Sequence, residues 1–519
     1  MDPKVIADAR SAFSHDAPAV TLGAVLHEGA CHPEPLVRIP LAMMNRHGLI
    51  AGATGTGKTK TLQLMAEQLS AQGVPVFLAD LKGDLSGLGA EGLAGERIAQ
   101  RATATGFDWQ SRSFPLEFLS LTGTRGAQLR ATVSSFGPLL LAKVLGLNET
   151  QTSVLTLVFK YCDDQGLLLL DFSDLRAALQ YLAGPGADEL TAYGGMSKQT
   201  VGVLLREMVE LEQQGAEGFF GEPEFELDDL LQVERDGRGL ISVLELPDVQ
   251  DKPALFSTFM MWMLARLYGS LPEVGDLDKP KLVFFFDEAH LLFDGASKAF
   301  LDQVEQVVRL VRSKGVGVFF VTQSPKDIPA DVLGQLGHRV QHALRAYTPD
   351  DEKALRAAAR TFPKTGHYDI EEILTTLGIG EALVTVLGPK GVPTPPFATR
   401  LIPPASRMSP LTEEEFRQRI AASAQVREYA QAVDRDSARE RLAARAAAAA
   451  AQATATEPAA RAPEAPARTP ASAPRAGQRA APSTLERVLK SSVTRSVATQ
   501  ITRGLMGALL GGTSRRRRY

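Results

Sequence analysis

The chain has 519 residues, 44% of them apolar, which supports a sizeable core and, on length, two or three domains. Its net charge of −4 hides an acidic body of about −15 over the first 440 residues and a basic tail, where Arg441–Tyr519 holds 14 Lys and Arg against 3 Asp and Glu. There are two cysteines, Cys31 and Cys162, with no metal-ligand spacing around either, which fits a reducing compartment and argues against a disulfide scaffold; neither a leader-like start nor a run of ~20 apolar residues occurs, so a soluble, cytoplasmic protein is expected.

A short N-terminal segment (1–42) precedes an apolar strand at His47–Ala51. There follows Gly52-Ala53-Thr54-Gly55-Thr56-Gly57-Lys58-Thr59, a full match to G-x-x-x-x-G-K-[ST], and a helix at Thr59–Gln72. The glycines let backbone N–H groups turn toward phosphates, and the helix start adds a favourable dipole. Lys58 would reach the β- and γ-phosphates of ATP, and the Thr59 hydroxyl would ligate Mg²⁺. The next strand, Val74–Ala79, leads into Asp80-Leu81-Lys82-Gly83-Asp84, which either lines a ligand crevice at the sheet edge or is a plain turn. This first part of the core spans 43–118.

Between 119 and 236 the strand–helix alternation fails. Helical patterns at Ala131–Leu147, Thr150–Asp163 and Ser197–Gln213 mark an inserted helical subdomain. The core resumes over 237–404 with apolar strands at Leu240–Leu246, Leu282–Phe286 and Val316–Val321, a helix at Ala299–Lys314, and edge segments at Arg339–Arg345 and Ala382–Leu387. Short, continuous apolar strands alternating with helices predict an α/β fold with a mostly parallel sheet covered on both faces. Leu282–Phe286 delivers Asp287 and Glu288 at its end. Asp287 would hold Mg²⁺ through water and Glu288 would orient and polarise the attacking water, against the plainer reading of a helix cap. Gln323, leaving the strand at Val316, would sense the γ-phosphate unless Gln323–Pro325 is only a turn.

A charged, then alanine-rich helix is expected over 405–450, with its helical pattern at Thr412–Ala450. An Ala/Pro/Arg/Thr linker over 451–482 has too little apolar content to fold. Ser483-Thr484-Leu485-Glu486 reads as a capping box opening an amphipathic helix over 483–519, which ends in Arg515–Arg518. That basic tail either meets an anionic surface, nucleic acid or membrane, or is merely solvated.

The segments Asn45–Gly57, Val74–Asp84, Phe286–His290, Gly315–Ser324 and Glu381–Gly388 resemble the HerA-like bacterial ATPases of the HerA/FtsK superfamily, and within it the short YjgR-like members. The resemblance covers roughly residues 20–400. It implies a RecA-like ATPase core, an ATP- and Mg²⁺-dependent motor assembled as a hexameric ring, and sites completed by a neighbouring subunit. It also implies movement along duplex DNA with a nuclease partner. By the same resemblance Arg46 acts on the nucleotide and Arg312 serves as the finger in trans, with Arg309 in reserve and a surface arginine as the alternative. The family's β-barrel has no counterpart in the roughly 45 residues ahead of the loop, which weakens the expectation of DNA translocation. A ring ATPase acting on a protein or secretion-type complex, and a nucleotide-gated scaffold, remain as alternatives. Asp287–His290 spells DEAH, but 229 residues separate Lys58 from Asp287 and no room remains for a second motor domain. Without an Asn-Lys-x-Asp motif a GTPase is not expected, and without a base-reading element any DNA contact is with the backbone.

Overall fold

The computed structural model describes residues 3–293 and 298–456. Contacts group the chain into Met1–Thr456 and Glu457–Tyr519. The second group, with the amphipathic helix expected from 483 and almost all of the linker, lies outside the described residues. No described helix is long and apolar enough to cross a membrane.

Twelve strands form one sheet: β1 (Ala19–His27), β2 (Ala30–Pro40), β3 (Gly48–Ala51), β4 (Val76–Asp80), β5 (Leu116–Ser120), β6 (Ala127–Gln128), β7 (Ile241–Glu245), β8 (Leu282–Phe286), β9 (Val316–Thr322), β10 (His338–His342), β11 (Glu381–Thr385) and β12 (Phe397–Leu401). Their order is β2-β1-β12-β11-β10-β3-β9-β8-β4-β7-β5-β6. From β10 to β6 every neighbouring pair is parallel, and from β10 outward through β11, β12, β1 and β2 every pair is antiparallel. The run β10-β3-β9-β8-β4 places the strand before the phosphate loop between two later strands, the RecA-like order. The fold is α/β, as expected. The N-terminal segment is more than a lead-in, because β1 and β2 form a hairpin that extends the sheet.

Period-two burial shows why these runs are strands. Leu282, Phe284 and Phe286 enter one core while Val283 and Phe285 enter the other. Phe284 packs on Phe77 with ring centroids 4.9 Å apart, and Phe285 stacks on Phe319 at 5.1 Å. The Lys58–Ala71 helix covers one face with Leu62, Met65, Ala66 and Leu69. The Pro253–Ser270 helix and the helical insertion cover the other. Within the insertion, the helix expected at Ala131–Leu147 is broken into Val133–Phe136 and Pro138–Val144, because Gly137 takes φ +76° between them.

The single helix expected over Thr412–Ala450 is three: Glu413–Ala422, Ala424–Tyr429 and Ala438–Thr456. Side chains capture the backbone along this stretch. The buried Glu67 carboxylate of the phosphate-loop helix accepts from Ala405 N (2.6 Å), Ser406 N (3.0 Å) and Ser406 Oγ (2.7 Å). Arg419 donates to Gly89 O at 2.6 Å, and Tyr429 Oη donates to Asp229 at 2.6 Å. Ala438 and Leu442 then bury against the insertion, where Arg439 N donates to Asp174 at 2.9 Å. The stretch is a strap running from the phosphate-loop helix to the insertion.

Removing a ring from the doubly covered sheet leaves a cavity. Phe284→Ala is expected to cost about 3–5 kcal/mol of stability, read as a lowered urea midpoint with unchanged slope.

Candidate nucleotide site

The loop after β3 is tied down by its neighbours. Gly52 N donates to Thr322 O (3.3 Å), Ala53 N donates to Ala343 O (2.9 Å), and Gly380 N donates to Thr56 O (2.9 Å). Thr56 Oγ1 closes the turn onto Ala53 O at 2.7 Å. Gly52 and Gly57 hold φ +153° and +113°, and a Cβ on Gly52 would meet His342 Cβ at 2.5 Å. His342 is wholly buried beneath the loop, its Nε2 2.8 Å from Thr61 Oγ1, and burial pushes its pKa down to about 4. Its ring is therefore neutral and packs without adding charge. Lys58 Nζ donates to Gly52 O (2.7 Å) and Ala53 O (3.2 Å), so the ammonium lies inside its own loop. Burial lowers the Lys58 pKa, against the opposing charges of Glu288 and Asp287.

Asp287 stands at the end of β8, 8% exposed. Its Oδ1 accepts from Glu288 N at 3.0 Å, and its Oδ2 has no hydrogen-bond partner among the described residues. Burial, then the charges of Glu288 and Asp80, push its pKa up to about 7. Glu288 adopts φ +48° and meets Lys82 through one oxygen and His290 Nδ1, at 3.4 Å, through the other. Burial raises its pKa, but the Lys82 hydrogen bond and charge, with His290 and Lys58, outweigh that and hold it below the usual carboxylate range.

Asp80 resolves the ambiguous segment after β4. Its carboxylate accepts from the backbone N of Lys82 (3.1 Å), Gly83 (2.8 Å) and Leu85 (2.8 Å), making a carboxylate-centred turn. That turn also lines the site: oxygens of Asp80, Asp84 and Asp287 lie within 4.8 Å of one another. Three carboxylates, two of which (Asp84 and Asp287) carry a buried oxygen without a hydrogen-bond partner among the described residues, suit a hard divalent cation such as Mg²⁺.

Two cavities flank the loop. A cleft of about 820 Å³ opens beside Ala53 and Thr54, lined also by His290, Gln323, Lys326 and Arg345. A smaller pocket of about 280 Å³ adjoins Gly57 and Thr61, walled by Ile98, Ile379, Leu401 and Pro403. Gln323 is thus brought to the loop. Arg46 and Arg312 are not. Arg46 ends a 3₁₀ turn just before β3 and pairs with Asp276 at 3.1 Å. Arg312 is exposed just before β9, its carbonyl accepting from Asn45 Nδ2 at 3.3 Å. They share the opposite edge of the sheet, one strand length (roughly 13 Å for four residues) from the loop of their own chain. Arg309 pairs with Glu305 at 2.5 Å.

Sequence reasoning missed Arg345, which enters the cleft only because β10 lies beside β3. It also missed Glu245, fully buried at the end of β7, whose pKa burial and then Asp80 push up to about 7. Its signal was present: Leu240–Glu245 is another buried apolar run ending in an acid, like Leu282–Asp287.

The family described as Helicase HerA-like C-terminal matches residues 27–518. The chain belongs to that family. A probable helicase of Methanocaldococcus jannaschii is 29% identical over 154 residues, 28% of each chain. The DNA double-strand break repair helicase HerA of Saccharolobus solfataricus is 22% identical over 354 residues, 67% of this chain and 63% of that protein. The chain thus spans less than two thirds of either relative. Among solved structures, the bacterial conjugative coupling protein TrwB aligns with a TM-score of 0.48 at 15% identity, covering 76% of this chain and 92% of that one.

The cost of ionising Asp287 has a defined pH window. Its folded-state pKa of about 7 exceeds the ordinary 3.8, so stability is lost as pH rises from one value to the other. Asp287→Asn is expected to stabilise the metal-free chain by roughly 1–4 kcal/mol at pH 8 and by less at pH 5, measured by urea unfolding.

Proposed function

We propose that the chain is an ATP-hydrolysing motor that works as a ring, with DNA as its polymer. The observation that carries this reading is the loop Gly52–Thr59 lying beside two adjacent carboxylates in opposite conditions. Both are buried and each keeps one oxygen without a hydrogen-bond partner among the described residues, but Glu288 is ion-paired to Lys82 and held ionised, whereas Asp287 has no such partner. A metal ligand and a water-polarising base need those two states. In this reading Gly52, Ala53, Thr54, Gly55, Thr56 and Gly57 wrap the phosphates with backbone N–H groups, and Lys58 leaves its own carbonyls for the β- and γ-phosphates. Thr59 and Asp287, with Asp80 and Asp84 behind them, would hold Mg²⁺, which when bound neutralises charge on the β- and γ-phosphate oxygens. Glu288 orients the attacking water, and Gln323 and Arg345 reach the γ-phosphate from the large cleft. The 280 Å³ pocket receives the nucleobase between apolar walls.

The location of Arg46 and Arg312, away from their own loop, favours completion of each site by the neighbour's arginines. A fixed guanidinium there would neutralise transition-state charge. DNA is chosen because the family and the HerA relative are described as helicases.

Glu288→Gln is expected to cut turnover at least about 10²-fold while leaving ATP bound, measured by phosphate release beside equilibrium binding. Duplex DNA should raise the parent chain's turnover. An oligomer that ignores duplex and single-stranded DNA at every salt concentration would sink the DNA assignment. Mixing Lys58→Ala with Arg312→Ala subunits should restore part of the activity that each lacks alone, and no recovery would count against shared sites.

A further inference from the structure

The turn after β4 leaves the sheet at the same edge as the phosphate loop, and one of its side chains reaches the residue to which water activation is assigned above. Lys82 Nζ ion-pairs with Glu288 Oε1. The Glu288 side chain is 6% exposed and that of Lys82 is 49% exposed, so the pair joins a buried carboxylate to a half-solvated ammonium. The second carboxylate oxygen lies 3.4 Å from His290 Nδ1. One oxygen is thus taken by Lys82 while the other is buried without a hydrogen-bond partner among the described residues, so a water that Glu288 is to polarise has to displace the ammonium or open the buried side.

The backbone on each side of the pair is fixed. At the Glu288 end, Glu288 N is bound to Asp287 Oδ1, and Ala289 N donates to Val321 O at 2.8 Å. These bonds hold Glu288 in its left-handed conformation at φ +48°. At the Lys82 end, Asp80 captures Lys82 N, and Gln250 Nε2 donates to Leu81 O at 2.7 Å. What remains free to change is the Lys82 side chain, a flexible stem carrying a compact charge. Its only side-chain hydrogen bond among the described residues is to Glu288.

We propose that Lys82 is a positioning residue that restrains Glu288: while the two are paired the carboxylate is occupied, and hydrolysis accelerates when a polyanion draws the ammonium away. The inference rests on the ATPase reading and adds a link between that site and an anionic polymer at the sheet edge. The half-solvated partner makes the restraint weak and reversible, as an adjustable control requires.

The test compares the full-length oligomer with its Lys82→Ala and Lys82→Arg variants, measuring ATP turnover with and without duplex DNA. Lys82→Ala is expected to raise kcat without DNA roughly two- to five-fold, the worth of an ion pair with one solvated partner. KM for ATP should be unchanged and the stimulation by DNA smaller. Lys82→Arg, which keeps the charge, should move the rate back toward that of the parent. Adding Glu288→Gln to Lys82→Ala should erase the gain. A basal rate at or below the parent's in Lys82→Ala, or a gain that survives Glu288→Gln, overturns the proposal. Turnover that persists in Lys58→Ala would instead overturn the nucleotide-site reading on which it rests.

Discussion

Three acids stand in a row at one edge of the sheet, Asp287 just after β8, Asp80 at the end of β4 and Glu245 at the end of β7, because those strands are neighbours and parallel. Each is buried, and each has its pKa raised by that burial. A carboxylate taken out of water resists ionisation unless charge or hydrogen bonds answer it. Here the answers are unequal. Asp80 is met at both oxygens by backbone N–H groups and Glu245 at one by Arg125 at 3.0 Å, while Asp287 has no cationic partner and, like Glu245, keeps one oxygen unmet among the described residues. Neighbouring elements follow from this arrangement: the turn after β4, the depth of Lys58, and the aromatic packing that keeps the sheet stiff beneath them.

Parallel strands send all their C-terminal ends to one side, so the loop, the acids and Gln323 gather there without long connections. The same geometry sends Arg46 and Arg312 to the other side. One molecule therefore presents an edge that carries the glycine loop and the acids and a separate edge that carries Arg46 and Arg312, linked through Asn45 and the short strand β3. Glu67 adds a second fixed point. Its burial raises its pKa to about 7 despite three donors from the strap, so the phosphate-loop helix is anchored by a carboxylate that is itself hard to ionise.

The central strands were legible in the sequence because they are buried on both faces. Leu282–Phe286 is a strand with the bounds its apolar run predicts, and Val316–Val321 is longer by one residue. The hairpin of β1 and β2 was not legible. Its β2, Ala30–Pro40, mixes polar residues and three prolines with few apolar ones, and the pairing of β1 with distant β12 gives no local pattern. The same limit hid part of the site. Lys58, Thr59, Asp287 and Glu288 follow from motifs, whereas Lys82 and Arg345 matter only through neighbours some 206 and 290 residues away in the chain. The strap was misread for another reason. Its helical propensity is real, but Ser423 and the residues around Tyr429 make tertiary bonds that break the helix into pieces.

The position of β3 also governs when the loop can exist during synthesis. Its hydrogen-bonded partners are β9 and β10, so a growing chain that already contains Gly52–Thr59 has no framework for it until residue 342 has emerged. The helix behind the loop waits longer still, for Ala405 and Ser406 to satisfy Glu67. The shape of the loop is thus withheld from the nascent chain until nearly the whole core has been made. A ribosome-bound or truncated fragment that carries the complete glycine motif but ends before Thr322 lacks the carbonyls of Thr322 and Ala343 to which Gly52 N and Ala53 N are bound, so the motif alone does not carry its own shape.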